Sequence, residues 1–179
     1  MLSTRKSLTY NPSPVAAIQS STIMPNRPNI HTAQIKDVRF GENVTIVEPV
    51  NLYGCSIGDD AFVGPFVEIQ ADSKIGPKTR VQSHTFICEF VAIGSDCFIG
   101  HGVMFINDRF ENGGPAPRDR SLLTPTKIGN QVSIGSNATI LPVSICDRVV
   151  IGAGAVVTKD IDQPGTYAGN PARKLRDLD

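Results

Sequence analysis

Apolar side chains recur along this chain at every sixth position. Ile57, Val63, Ile69, Ile75, Val81, Ile87, Ile93, Ile99 and Phe105 follow one another without a break. An amphipathic helix would set them three or four apart, and a half-buried strand would alternate them. A period of six suits a parallel β-solenoid, in which each flat face contributes one inward side chain and a turn separates it from the next. Glycine marks a longer repeat, because Ile57-Gly58, Ile75-Gly76 and Ile93-Gly94 recur at steps of 18. Every third hexad is therefore equivalent, and one coil has three faces. The Ile57 column is the first face; Val63, Val81 and Ile99 form the second; Ile69, Ile87 and Phe105 form the third. Residues 18 apart then stack on successive coils at about 4.8 Å, the spacing of paired strands.

The rhythm extends backwards through Leu52, Ile46, Phe40 and Ile35, with five-residue steps from Ile35 to Phe40 and from Leu52 to Ile57. Both short steps fall at the corner where one coil passes to the next, so they read as tighter turns. After Phe105 the pattern stops, and it resumes at Ile128, Ile134, Ile140, Ile145, Ile151 and Val157, with a step of five again from Ile140 to Ile145. The step from Phe105 to Ile128 is 23 residues, 17 more than a step of six. A loop over residues 106–127 therefore leaves the third face of the fourth coil and rejoins the first face of the next. Loops of that length in compact domains are functional or disordered. This one carries Asn107, Asp108, Arg109, Glu111, Gly113-Gly114-Pro115, Arg118 and Arg120.

The expected architecture is all-β: a parallel β-helix of about six coils over residues 34–163, with the one long loop protruding from it. Residues 1–33 hold Pro12, Pro14, Pro25 and Pro28 among scattered aliphatics. They read as an extended arm, laid on the body or on a neighbouring subunit, or as a segment without fixed structure. Residues 164–179 read as a cap. Pro164-Gly165 makes a turn, and Ala168 to Leu175 form a short basic helix with Pro171 in its first turn, covering the unpaired edges of the last coil.

Charge and cysteine usage narrow the function classes. The chain has 17 basic and 17 acidic side chains in 179 residues, so bulk attraction to nucleic acid or to an anionic membrane is not expected. The longest apolar run, Val149 to Val157, is nine residues with two glycines, too short to span a bilayer. No apolar segment follows Arg5 and Lys6, so a secretory signal is not expected. Cys55, Cys88, Cys97 and Cys146 make no C-x-x-C pair and no zinc spacing, which points to free thiols in a reducing cytoplasm.

The hexads, the loop and the closing Gly169-Asn170-Pro171-Ala172 resemble the hexapeptide-repeat acyltransferases, which are left-handed parallel β-helices. Within that superfamily, three stretches resemble the nucleotide-sugar N-acetyltransferases of surface-polysaccharide synthesis: Ser83 to Glu89, Gly100 to Asp108 and Ser133 to Ile140. The resemblance implies a homotrimer with acetyl-CoA in the groove between adjacent β-helices, no metal, and an aminodeoxy sugar on UDP or dTDP as acceptor. One departure stands out. Several sugar acetyltransferases of this superfamily carry a catalytic His four residues before the aliphatic of an Ile-Gly corner; the corresponding position before Ile93-Gly94 is Glu89.

Acetyl transfer from a thioester to an amine needs an unprotonated nitrogen, a donor for the oxyanion and positioning of both partners. Only His31, His84 and His101 carry an imidazole, the side chain best matched to proton transfer at neutral pH. His84 stands beneath Gly102, one coil up, which leaves room for a ligand and exposes a backbone N–H; the alternative is an ordinary surface corner. The catalytic candidates are thus His84 as base or proton relay, Glu89 orienting it or binding the ammonium, and the Gly102 N–H as oxyanion donor. Glu89 and Asn107 are 18 apart and stack beneath the loop. Asn107, Asp108 and His101 are the candidates for holding the sugar, although Asn-Asp also begins turns well.

For CoA, Ser136, Asn137, Ala153, Gly154 and Ala155 offer small residues beside which an extended pantetheine fits, though β-helix corners require small residues in any case. Lys159, Arg173 and Lys174 are the candidate phosphate partners. Two rivals belong to other classes. A γ-type carbonic anhydrase shares the fold but needs three histidine zinc ligands, two of them closely spaced, and the three histidines here are far apart in sequence. A non-catalytic β-helix acting as scaffold, and an acetyltransferase for an antibiotic, serine or simple sugar, remain open alternatives.

Overall fold

The computed structural model describes residues 31–109, 113 and 119–178. Residues 1–30 of the expected arm lie outside them, as do Glu111, Gly114, Pro115 and Arg118 of the loop. Thr32–Asp179 form a compact unit of their own, and in it the period of six becomes three parallel sheets wound as a solenoid.

The first face stacks Arg39–Phe40, Ser56–Ile57, Lys74–Ile75, Val91–Ile93, Thr126–Ile128 and Ser144–Ile145. The second runs from Thr45–Ile46 through Phe62–Val63, Arg80–Val81, Phe98–Ile99, Ser133–Ile134 and Val149–Ile151 to Gly165–Ala168. The third runs from Ile35–Lys36 through Asn51–Tyr53, Glu68–Ile69, Phe86–Ile87, Met104–Phe105 and Thr139–Ile140 to Val156–Val157. The register is that of the 18-residue repeat: Ile57 pairs with Ile75, Val63 with Val81 and Ile69 with Ile87. Ile93 pairs directly with Ile128, so the loop is inserted without a slip. Six complete coils are preceded by Ile35–Lys36 and followed by a bridge from Ile145 to Ile161 and by Gly165–Ala168. That makes about seven turns, slightly more than the six expected, because the terminal strands add partial rungs.

The inward residues fill one continuous core, in which Leu52, Val63, Ile69, Val81, Ile87, Ile99, Phe105, Ile134 and Ile140 have no exposed surface. The corners work because the chain turns through left-handed backbone. After the second face the turning residues are Phe66, His84, Gly102, Asn137 and Gly154, each with φ near +60°, a conformation that is unusual for a bulky side chain. Each passes its N–H to the coil below: His84 to Pro65 O at 3.1 Å, Gly102 to Ser83 O at 3.0 Å and Asn137 to His101 O at 2.8 Å. Buried hydroxyls seal corners from inside, with Ser73, Thr79 and Thr85 donating to the carbonyls of Cys88, Gly94 and Gly100 at 2.7, 2.8 and 2.8 Å. Coils approach so closely that a side-chain carbon at Gly76 would press on the Gly94 backbone. That is why glycine recurs there.

The C-terminus departs from expectation. Arg173–Arg176 is a strand and not a helix; it folds back antiparallel on Gly165–Ala168. The reason lies in the exposed rung. The outer edge of Gly165–Ala168 presents unpaired N–H and C=O groups, and a returning strand satisfies them where a helix would not. Pro171 lies in the turn of this hairpin. No helix among the described residues is long and apolar enough to cross a membrane.

Cys55, Cys88 and Cys97 are buried and free, and Cys146 is partly exposed. Burial pushes the Cys55 thiol up from 9.0 to about 11 and the Cys88 thiol up to about 12, the latter with a smaller push from Glu89. The folded chain therefore keeps these protons after the unfolded chain has begun to lose them. Their contribution to stability is complete below about pH 9 and falls away as pH rises towards 11–12. The urea midpoint is expected to drop between about pH 8 and about pH 10.5, and to drop less in the Cys55→Ala/Cys88→Ala protein. An equal drop in both proteins would assign the loss to other groups.

Candidate active site

The candidate residues gather on two edges of the prism. Along the edge between the second and third faces, the left-handed positions are stacked as Phe66, His84, Gly102, Asn137 and Gly154, and the residues just before them as Pro65, Ser83, His101, Ser136 and Ala153. This edge thus collects His84, His101, Gly102, Ser136, Asn137, Ala153 and Gly154. The exposed His84 ring lies on the Phe66 ring, with centroids 4.8 Å apart and planes tilted by 32°. Ser83 Oγ and His101 Nδ1 are 2.8 Å apart on adjacent coils. Above His84 the space left by Gly102 is filled by the Asn137 side chain, whose Oδ1 would lie 2.5 Å from an added Cβ, so the open pocket expected over His84 is occupied. The column opens at Gly154, where an added Cβ would meet nothing.

Two further expectations change on this edge, and one neighbour is added. The Gly102 N–H is engaged by the Ser83 carbonyl, so it is not free to receive an oxyanion; the side-chain amide nearest that space belongs to Asn137. Ala155 has no exposed surface, because it is the inward residue after the corner, and its side chain cannot touch a cofactor. Phe66, which the 18-residue step puts directly under His84, was a legible neighbour of that ring and was missed.

The second edge, between the third and first faces, carries the neck of the loop. Asn107 Nδ2 donates to the Glu89 carbonyl at 3.2 Å, and the Asn107 carbonyl receives Thr124 N–H at 2.9 Å. Arg109 donates to Pro142 O at 2.7 Å. The returning strand of the loop begins with Asp119, whose carboxylate caps a turn of 3₁₀ helix, Arg120–Leu122, by accepting from Ser121 N–H at 2.9 Å and from Ser121 Oγ at 2.6 Å. These bonds hold the Asp119 carboxyl below the usual range. Arg120 then reaches down two coils. It donates to Asp72 at 2.5 Å and to Glu89 at 2.9 Å, with its guanidinium 4.7 Å from the centre of the Phe90 ring. The two carboxylates hold the Arg120 guanidinium above its ordinary value.

Glu89 is therefore committed to Arg120. It also does not meet His84 within one chain. The two stand at opposite ends of the Phe86–Ile87 strand, five residues apart, or roughly 15 Å at the rise of an extended strand. The Arg120 clamp escaped the sequence reading because 48 residues and the loop separate Arg120 from Asp72, and no period links them.

The expected phosphate partners meet at the C-terminal end. Lys159, Arg173 and Lys174 line one hollow of about 280 Å³ with Tyr167 and Ala172. Lys174 is paired with Asp177 at 2.6 Å and donates to Gln163 Oε1 at 3.3 Å. Among the described residues, no three His, Cys, Asp or Glu side chains gather as a metal site.

Comparison with known proteins agrees with the repeat. The family described as hexapeptide repeat of succinyl-transferase matches residues 125–159, and that described as bacterial transferase hexapeptide matches residues 54–89. A bifunctional protein GlmU from Acidithiobacillus ferrooxidans is 29% identical over 153 residues, which cover 80% of this chain and 33% of that protein. The chain spans about a third of the length of the first curated relatives it matches. A hexapeptide-repeat-containing acetyltransferase from Vibrio cholerae, solved in complex with acetyl coenzyme A, is 25% identical with a TM-score of 0.58 over 70% of this chain and 72% of that one. A mutant of AntD, an N-acyltransferase from Bacillus cereus in complex with dTDP and coenzyme A, shares the fold at 23% identity, with a TM-score of 0.61 over 81% and 86% of the two chains. The hexapeptide repeat of bacterial transferases is thus matched on both sides of the loop, over residues 54–89 and 125–159.

Proposed function

We propose that the protein is an acetyl-CoA-dependent N-acetyltransferase acting on the amine of an aminodeoxy sugar linked to dTDP or UDP. One observation carries this reading. His84, His101, Ser136, Asn137 and Gly154 line up along a single edge that is open at Gly154, on a fold matched by an acetyltransferase bound to acetyl coenzyme A.

The working assembly is a homotrimer. The outward side chains of the third face include Phe86, Met104, Ile106, Leu141 and Val156, with Met104 41% exposed. Such a surface favours packing around a threefold axis. Turning that face inward brings the His84 edge of one subunit towards the loop edge of the next, so that Asn107, Asp108 and the Arg120-held Glu89 face His84 across a shared cleft. The amine nitrogen attacks the thioester carbonyl carbon, and the oxyanion is met by the Asn137 amide. The adduct collapses by breaking the C–S bond, and the nitrogen's proton passes through His84 to the departing thiolate. The products are the amide and free CoA thiol. Lys159 and Arg173 hold the CoA phosphates, with Lys174 beside them.

Incubation with acetyl-CoA and a dTDP- or UDP-linked aminosugar is expected to release CoA thiol in step with loss of the free amine. Thiol release only with serine, an antibiotic or a simple sugar would replace the acceptor class. Absence of release with every amine and hydroxyl acceptor would leave a binding scaffold.

A further inference from the structure

The outward side chains of the first face differ from those of the other two. From the first coil upwards they are Arg39, Ser56, Lys74, Ala92, Lys127 and Ser144, three cations with no carboxylate. In a chain whose 17 basic and 17 acidic side chains balance, that segregation calls for a reason. The lower part of the stripe forms the floor of a hollow of about 670 Å³, within the range of small-ligand pockets. Arg39, Ser56 and Lys74 lie along this floor, Asp37 and Asp72 stand at its corner, and Phe90 forms its upper rim.

The geometry points to this hollow as the seat of a nucleoside diphosphate, with the diphosphate laid across Arg39, Ser56 and Lys74. This deepens the acceptor named above and rests on that reading. Ser56 pairs with Arg39 below and Lys74 above, so the two cations are two rungs apart, about 10 Å, with a hydroxyl between them. Both side chains are long and flexible enough for a diphosphate to draw their ends together over that hydroxyl. Among the described residues, neither Arg39 nor Lys74 has an ion-pair partner, whereas Asp72 and Glu89 are both paired with Arg120. Ala92 follows Lys74 on the next rung and keeps the upper exit of the stripe clear.

Position favours the acceptor over coenzyme A. Phe90 adjoins Glu89 and is held under the Arg120 guanidinium at 4.7 Å, so the hollow opens directly below the loop neck. A sugar carried by a diphosphate seated here reaches the Asn107 and Asp108 side of the cleft. The residues proposed for CoA lie on the upper coils, two or more rungs above Lys74.

The test is calorimetric titration of the full chain with dTDP, with UDP and, separately, with coenzyme A. Arg39→Ala and Lys74→Ala are each expected to raise the nucleoside diphosphate Kd about tenfold, through loss of a charge-assisted contact. Arg39→Lys should recover most of the loss, and CoA affinity should stay at the wild-type value in all variants. Unchanged dTDP and UDP affinity in the Arg39→Ala/Lys74→Ala protein would overturn the inference and leave the acceptor reading standing. A parallel fall in CoA affinity would transfer the cations to the cofactor and also overturn it. Wild-type protein that binds neither nucleotide, while releasing thiol from acetyl-CoA with some other amine, would remove the acceptor reading itself and the inference with it.

Discussion

His84→Ala is expected to lower kcat for acetyl transfer by about 10²- to 10⁴-fold, the range of a positioned base or relay, with the KM for acetyl-CoA unchanged. The ring is exposed on the edge and supported from below by Phe66 at 4.8 Å. Truncation therefore removes the imidazole without opening the core. Loss of kcat and of kcat/KM together would mark an interaction made in the transition state. Steady-state kinetics with the nucleotide-linked aminosugar decides the matter. If only the acceptor KM rises, His84 merely holds the sugar. If kcat stays near normal, the amine arrives deprotonated and positioning suffices.

Phe105→Ala carries the largest expected effect on stability, a loss of about 3–5 kcal/mol. Phe105 has no exposed surface and is stacked between Ile87 below and Ile140 above on the third face. Among the described residues it is the only aromatic one of the largest fully buried side chains, and it fills the coil from which the loop departs. A solenoid is stabilised by contacts between neighbouring rungs, so a cavity here weakens the coupling of the fourth coil to the fifth. Rungs above cannot close the gap, because the backbone ladder fixes their height. The urea midpoint reports the loss; a shift below about 1 kcal/mol would mean that the column collapses into the space.

The hydrophobic period carried most of the fold. Three faces, the 18-residue stacking, the tight corner before Ile57 and the loop after Phe105 all follow from where aliphatics and glycines stand, because each coil repeats the same steric problem. The C-terminal hairpin was illegible, since Gly169-Asn170-Pro171-Ala172 serves a reversing turn as well as a helix start, and only the unpaired rung beneath it decides. The site was legible one edge at a time. Stacking put His84 under Gly102 and Glu89 under Asn107, but counting residues does not measure the width of a face. His84 and Glu89 are close in sequence and stand on different edges. The Arg120 clamp on Asp72 and Glu89 joins residues with no shared period, so only coordinates could find it.

The register across the loop bears on how such proteins diversify. Ile93 and Ile128 are bonded neighbours separated by 35 residues, where Ile75 and Ile93 are separated by 18. Closing a link of twice the length costs about 0.6 kcal/mol in chain entropy, less than one well-made cap or buried methylene contributes. Natural selection can therefore lengthen, shorten or rewrite the loop with little thermodynamic penalty, provided the neck at Asn107 and the Arg120 clamp survive. The prism acts as a chassis, and acceptor preference can drift on the segment that the chassis does not need in order to fold.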